Sequence, residues 1–107
     1  MRRGDIVAVA LQGDQGKPRP ALIVQSDLFS DLPAVTILPM TSMLIDATVF
    51  RVQIEPSPQN GLTKRSQVMV DKAQTPSRDK IGAVIGRLDD MSMLAVTRAI
   101  AVFLGMG

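Results

Sequence analysis

Arg19 opens the segment RPALIV at 19–24, and Thr41 and Ser42 close the segment LPMTS at 38–42. A guanidinium presents a planar fork of donors, and two neighbouring hydroxyls add short ones. Together these groups can grip a phosphate and offset negative charge developing on its oxygens. Each has a plainer alternative. Arg19 could be a solvated side chain at a strand start, and Thr41 and Ser42 could bond their own backbone where a strand ends. A hydroxyl can serve both purposes at once.

Composition restricts the remaining chemistry. The 107 residues include no cysteine and no histidine. That removes disulfides, thiolate metal sites, the commonest general base and the commonest nitrogen ligand. Catalysis would have to run on arginine, carboxylate and hydroxyl groups, so neither a metal nor another cofactor is expected. The formal charge is only +2, which does not by itself announce a nucleic-acid partner. Eight of the twelve basic residues are arginine, however, the side chain suited to two-pronged phosphate contact. Free arginine holds its proton too tightly to be a ready acid, so charge stabilisation is its larger expected role. No apolar segment of signal-peptide type follows Met1-Arg2-Arg3, and the apolar stretch near 94–106 is interrupted by Thr97 and Arg98. The expectation is a cytoplasmic protein with no membrane segment.

The elements that must carry these side chains are short. Apolar or alternating runs predict strands at 5–11, 19–25, 34–40, 49–54 and 66–73, with a sixth at 81–85. Loops rich in Gly, Pro and polar residues fall at 12–18 and 55–61. Asp89 reads as the N-cap of a helix running to Leu104, with Gly105 as its stop. The fold class is mainly β, a strongly bent antiparallel sheet or small barrel with a C-terminal α-helix, as one domain over 1–107. Only three residues are aromatic although 46% are hydrophobic, so the core must be aliphatic. The helix has few polar positions, and a helix apolar on most sides is covered on most sides. Both features predict a homodimer with an apolar interface.

Taken in order, RGDIV at 3–7, the glycine-led RPALIV, LPMTS, VDKAQT at 70–75 and IGRL at 85–88 resemble the MazF/PemK family of toxin ribonucleases. The resemblance runs from Arg3 to about Leu104. It implies a small barrel-like sheet of the type shared with the gyrase-poisoning toxin CcdB, assembled as a homodimer. It also implies metal-independent, sequence-specific cutting of single-stranded RNA by a toxin of a type II toxin–antitoxin system. The antitoxin would cover the RNA groove with a disordered acidic tail, and DNA would be reached only through the antitoxin. Arg19 and Thr41 match the family's catalytic pair, with Ser42 as a neighbouring donor. Asp14 corresponds to an acidic residue in the mobile loop before RP, which is shorter here. Some members carry an arginine where this chain has Met69, leaving the division of acid and base roles open.

Candidate RNA contacts are Asp14, Gln15 and Lys17 in the first loop, Arg51, the basic pair Lys64-Arg65, and Asp71. Asp71 could instead pair with Arg51 or Lys72 as a surface charge. Phe50 could stack a base, although its alternation with Val52 and Ile54 favours the core. Two other functions share the expected fold: a non-enzymatic gyrase poison, and a degenerate toxin that keeps only antitoxin and DNA-complex binding. The poison's activity depends on a tryptophan-containing C-terminal segment in its family, and this chain has no tryptophan.

Overall fold

The computed structural model describes residues 1–11 and 17–106. Asp14 and Gln15 lie outside the described residues. Six strands and one helix follow in order: β1 (Asp5–Val9), β2 (Arg19–Ile23), β3 (Ile37–Thr41), β4 (Arg51–Ile54), β5 (Ser66–Met69), β6 (Ile81–Arg87) and α1 (Asp90–Phe103). The strands form one antiparallel sheet in the order β4-β5-β3-β2-β1-β6. β4 and β6 are its edges, so the sheet stays open rather than closing into a barrel.

Alternation along the strands separates two apolar clusters. Ile6, Leu22, Leu38, Met40, Ile54 and Val68 share the face that receives Val96 and Ala99 of α1. Val7, Val9, Ala21, Ile23 and Ile37 point to the other face, where Leu11, Val35 and Ile81 cover them. Side chains two apart on a strand share a face. Burying each Leu or Ile in these clusters is worth about 1.5–3 kcal/mol.

The first and last sheet motifs interlock. Asp5 pairs with Arg87 across β1 and β6, and the Arg87 guanidinium reaches the Asp5 carboxylate at 3.0 Å. The same guanidinium donates to the Arg3 carbonyl at 2.9 Å, and Arg2 N–H donates to Asp5 at 3.0 Å. Gly4 turns between them at φ 95°, and an added Cβ would lie 3.2 Å from the guanidinium. RGD and GRL are therefore structural motifs, far apart in sequence, that close one edge of the sheet.

Every strand differs from its expected bounds by a few residues, and two of the differences bear on the site. The predicted strand at 66–73 stops at Met69, and a single tight turn, Val70–Lys72, follows it. Buried Val70 anchors that turn in the helix-side core. The predicted strand at 34–40 begins later, at Ile37, after an isolated bridge between Ala34 and Ser77. Asp89 caps α1 as expected: its carboxylate accepts from Ser92 N–H at 3.1 Å. Hydrogen bonding from the Ser92 side chain and then its backbone holds the carboxyl below the usual carboxylate range. Among α1 residues only Val96 and Ala99 are buried, while Met91, Leu94, Val102 and Phe103 remain exposed. The apolar surface foreseen for the helix is thus present and uncovered within one chain.

Candidate nucleic-acid interface

Arg19 and Thr41 reach one place because of strand register. Ala21 pairs with Pro39 across β2 and β3, and continuing that register outward by two residues sets Arg19 opposite Thr41. Alternation puts Arg19 with Ala21 and Ile23, and Thr41 with Ile37, on the face away from the helix. The second apolar cluster continues along that same face.

A cleft of about 280 Å³ opens there, lined by Arg19, Thr41, Ser42, Met43, Met69, Lys72 and Gln74, among others. A second cleft of about 210 Å³ is lined by Arg19, Ser42, Thr63, Lys64 and Ser66 with Pro20, Met40 and Leu62. Arg19 and Ser42 belong to both clefts and so stand where they meet. The described linings contain three cations, Arg19, Lys64 and Lys72, and no carboxylate. Three of the chain's twelve basic residues thus line these two clefts.

Thr41 makes the turn contact open to it: Met43 N–H donates to its Oγ1 at 3.0 Å. The hydroxyl accepts in that bond, so its own proton is still available to an oxygen in the cleft. The chain after Ser42 is fixed by Gln67, which Thr41 faces across β3 and β5. The Gln67 amide accepts from Ile45 N–H at 3.2 Å and donates to the Ile45 carbonyl at 2.8 Å. A buried amide that satisfies both backbone groups of one loop residue sets the path of residues 42–45.

The remaining sequence candidates separate. Lys17 is exposed just before β2, and Lys64 lines the second cleft. Arg65 pairs with Glu55 at 2.8 Å, both side chains being more than half exposed. Arg51 and Asp71 are held in an ion pair and line cavities toward α1, apart from Arg19. Phe50 is half-buried, its ring centroid 6.4 Å from that of Phe103 and 5.9 Å from the Arg51 guanidinium. Lys72 and Gln74 join the Arg19 cleft without having been singled out from sequence. Their place in VDKAQT, directly after Asp71, was the available signal. Among the described residues no group of three or more acidic side chains is disposed to hold a metal ion.

Residues 2–104 match the family model described as PemK-like, MazF-like toxin of type II toxin-antitoxin system. The chain belongs to the PemK/MazF toxin family. A probable endoribonuclease MazF of Mycolicibacterium smegmatis is 44% identical over 99% of this chain and 98% of its own length. The Mycobacterium tuberculosis toxin MazF-mt6 superposes with a TM-score of 0.83 at 27% identity, covering 96% of this chain and 98% of its own. An endoribonuclease of mycobacterial species, solved in complex with its cognate antitoxin, gives a TM-score of 0.83 at 20% identity, over 100% and 97% of the two chains. That last likeness is one of fold. In this PemK/MazF chain the RP and TS motifs meet in one cleft, whereas RGD and GRL lock the sheet edge that supports it.

Proposed function

We propose that this chain is the toxin of a type II toxin–antitoxin pair and acts as an endoribonuclease on single-stranded messenger RNA in the cytoplasm. The observation that carries the reading is the pair of clefts meeting at Arg19, lined by cations and hydroxyls with no described carboxylate. A polyanion that must present one phosphate between two neighbouring nucleotides fits that arrangement.

RNA carries its own nucleophile. The 2′-oxygen attacks the adjacent phosphorus in line as its proton passes to solvent, the bond to the 5′-oxygen breaks, and that oxygen takes up a proton from solvent. The products are a 2′,3′-cyclic phosphate and a 5′-hydroxyl. The protein's task is to fix that alignment and stabilise charge on the phosphoryl oxygens. Arg19 supplies the charge, and Thr41 and Ser42 donate to a non-bridging oxygen. Lys17 and Lys64 hold flanking phosphates. The conformation of the bound strand in the two clefts sets sequence preference. No metal enters this scheme.

A second copy covers the exposed apolar side of α1, giving a homodimer. An acidic, disordered antitoxin segment competes with RNA for the cationic clefts, because one set of groups attracts both. The deciding experiment incubates the purified chain with RNA in EDTA and maps the fragment ends. Cyclic phosphate and 5′-hydroxyl ends at recurrent short sequences support the reading; intact RNA, or cutting only after metal is restored, rejects it.

A further inference from the structure

We infer that Lys72 is a second phosphate-binding cation of the RNA cleft, working opposite Arg19 on the strand that Arg19 and Thr41 engage; this role rests on the ribonuclease reading. Lys72 lines the same cleft as Arg19, Thr41 and Ser42, and its side chain is exposed to an incoming ligand. Its position is determined from both sides. Val70, two residues before it, is 3% exposed in the core. Asp71 is clamped by Arg51 through two hydrogen bonds of 2.9 and 3.2 Å. Gln74, two residues after it, exchanges both backbone hydrogen bonds with Ile37 of β3, at 2.8 and 3.1 Å.

The tight turn Val70–Lys72 matters here. Had the strand continued to residue 73, strict alternation would have set Lys72 on the face of Val68 and Val70, toward the helix. The turn breaks that alternation and brings Lys72 to the Arg19 side instead. Asp71, the nearest carboxylate in sequence, is committed to Arg51, and among the described residues no ion pair occupies the Lys72 ammonium. Asp71 feels the Lys72 charge only as a lesser influence beside its hydrogen-bonded pair with Arg51. A lysine whose backbone is fixed and whose ammonium is in no ion pair, in a cleft with no carboxylate among its described lining residues, is suited to a phosphate. An ammonium acts there as a point charge, complementing the directional fork of Arg19.

The test measures binding of a 2′-deoxy-substituted, uncleavable RNA as a function of salt, together with cleavage of the unmodified RNA. Removing one phosphate contact should lower the slope of log K against log salt by about 0.7. Lys72→Ala is expected to show that loss, with cleavage reduced on the order of 10-fold or more, as expected for a lost charge-assisted contact. Lys72→Arg should restore the slope and most of the rate. Lys80→Ala, which removes an equal charge from an exposed site outside both clefts, should leave the slope within error. An unchanged slope in Lys72→Ala overturns the assignment even if wild-type cleavage is normal. Failure of the unaltered chain to bind or cut RNA overturns the ribonuclease reading as well.

Discussion

Arg51 and Asp71 face each other as a two-pronged ion pair, Nε to Oδ1 at 2.9 Å and Nη2 to Oδ2 at 3.2 Å, with side chains 8% and 20% exposed. Arg51 begins the edge strand β4, and Asp71 sits in the turn that ends β5. The pair therefore joins a sheet edge to the segment that carries Lys72 into the Arg19 cleft.

Burial tends to raise the Asp71 carboxyl, but the hydrogen bond and charge of Arg51 outweigh it and leave the pKa below its ordinary value of 3.8. A carboxyl whose folded pKa is depressed stabilises the fold above its unfolded pKa and loses that contribution as pH falls through the folded pKa. Asp71→Asn should cost about 1–2 kcal/mol at neutral pH, since it leaves a nearly buried guanidinium without its counter-charge. The gap between the urea midpoints of wild type and variant should narrow below about pH 4. A gap that stayed constant to pH 2 would contradict this linkage.

Arg19→Ala should reduce cleavage about 100-fold or more, corresponding to roughly 3 kcal/mol of transition-state stabilisation. The side chain is exposed, so circular dichroism and thermal midpoint should change little. Arg19→Lys should recover only a small part, because a point charge lacks the two-pronged geometry. Single-turnover kinetics on a fixed RNA make the comparison.

Thr41→Ala should cost less than the loss of Arg19, because Ser42 lines the same cleft and can donate in its place. Replacing the 2′-hydroxyl at the cut nucleotide with hydrogen should stop cleavage while binding persists. Efficient cutting of that deoxy substrate would exclude 2′-oxygen attack, whatever the variants show.

Gly86→Ala tests the fold independently of the site. An added Cβ would lie 2.4 Å from the backbone carbon and oxygen of Asn60, in a loop whose shape is set by the buried Asn60 amide. Backbone cannot yield as a flexible side chain would, so the expected cost is about 3 kcal/mol. In calorimetry this should appear as a fall in Tm on the order of 15 °C.

Light scattering at tens of micromolar should return the mass of two chains. The exposed Met91, Leu94, Val102 and Phe103 of α1 provide the driving surface, and a specific interface should bury more than about 1,000 Å² in total. A monomeric mass would remove this part of the proposal.

Local alternation is enough to assign each key residue to one face of its own strand. The two-residue period puts Arg19 with Ala21 and Ile23, and Thr41 with Ile37, and Asp89 marks the helix start at the expected place. The ordered motifs identified the family, because their spacing survives without any knowledge of contacts. Which strands meet, and in which register, emerges only from the folded sheet. Periodicity is a local property, whereas register depends on turns and on partners far along the chain. Hence RGD and GRL, 82 residues apart at Asp5 and Arg87, could not be seen as one lock. Arg51 and Asp71 could be suspected of pairing, but the two-pronged geometry and burial of the pair are visible only in the fold. Lys72 read from sequence only as a possible partner of Asp71, because its direction is set by a turn that interrupts a strand-like pattern, and that turn is fixed by Val70 in the core and by the Gln74–Ile37 bridge. Local pattern assigned each side chain a face, and long-range packing decided what it meets there.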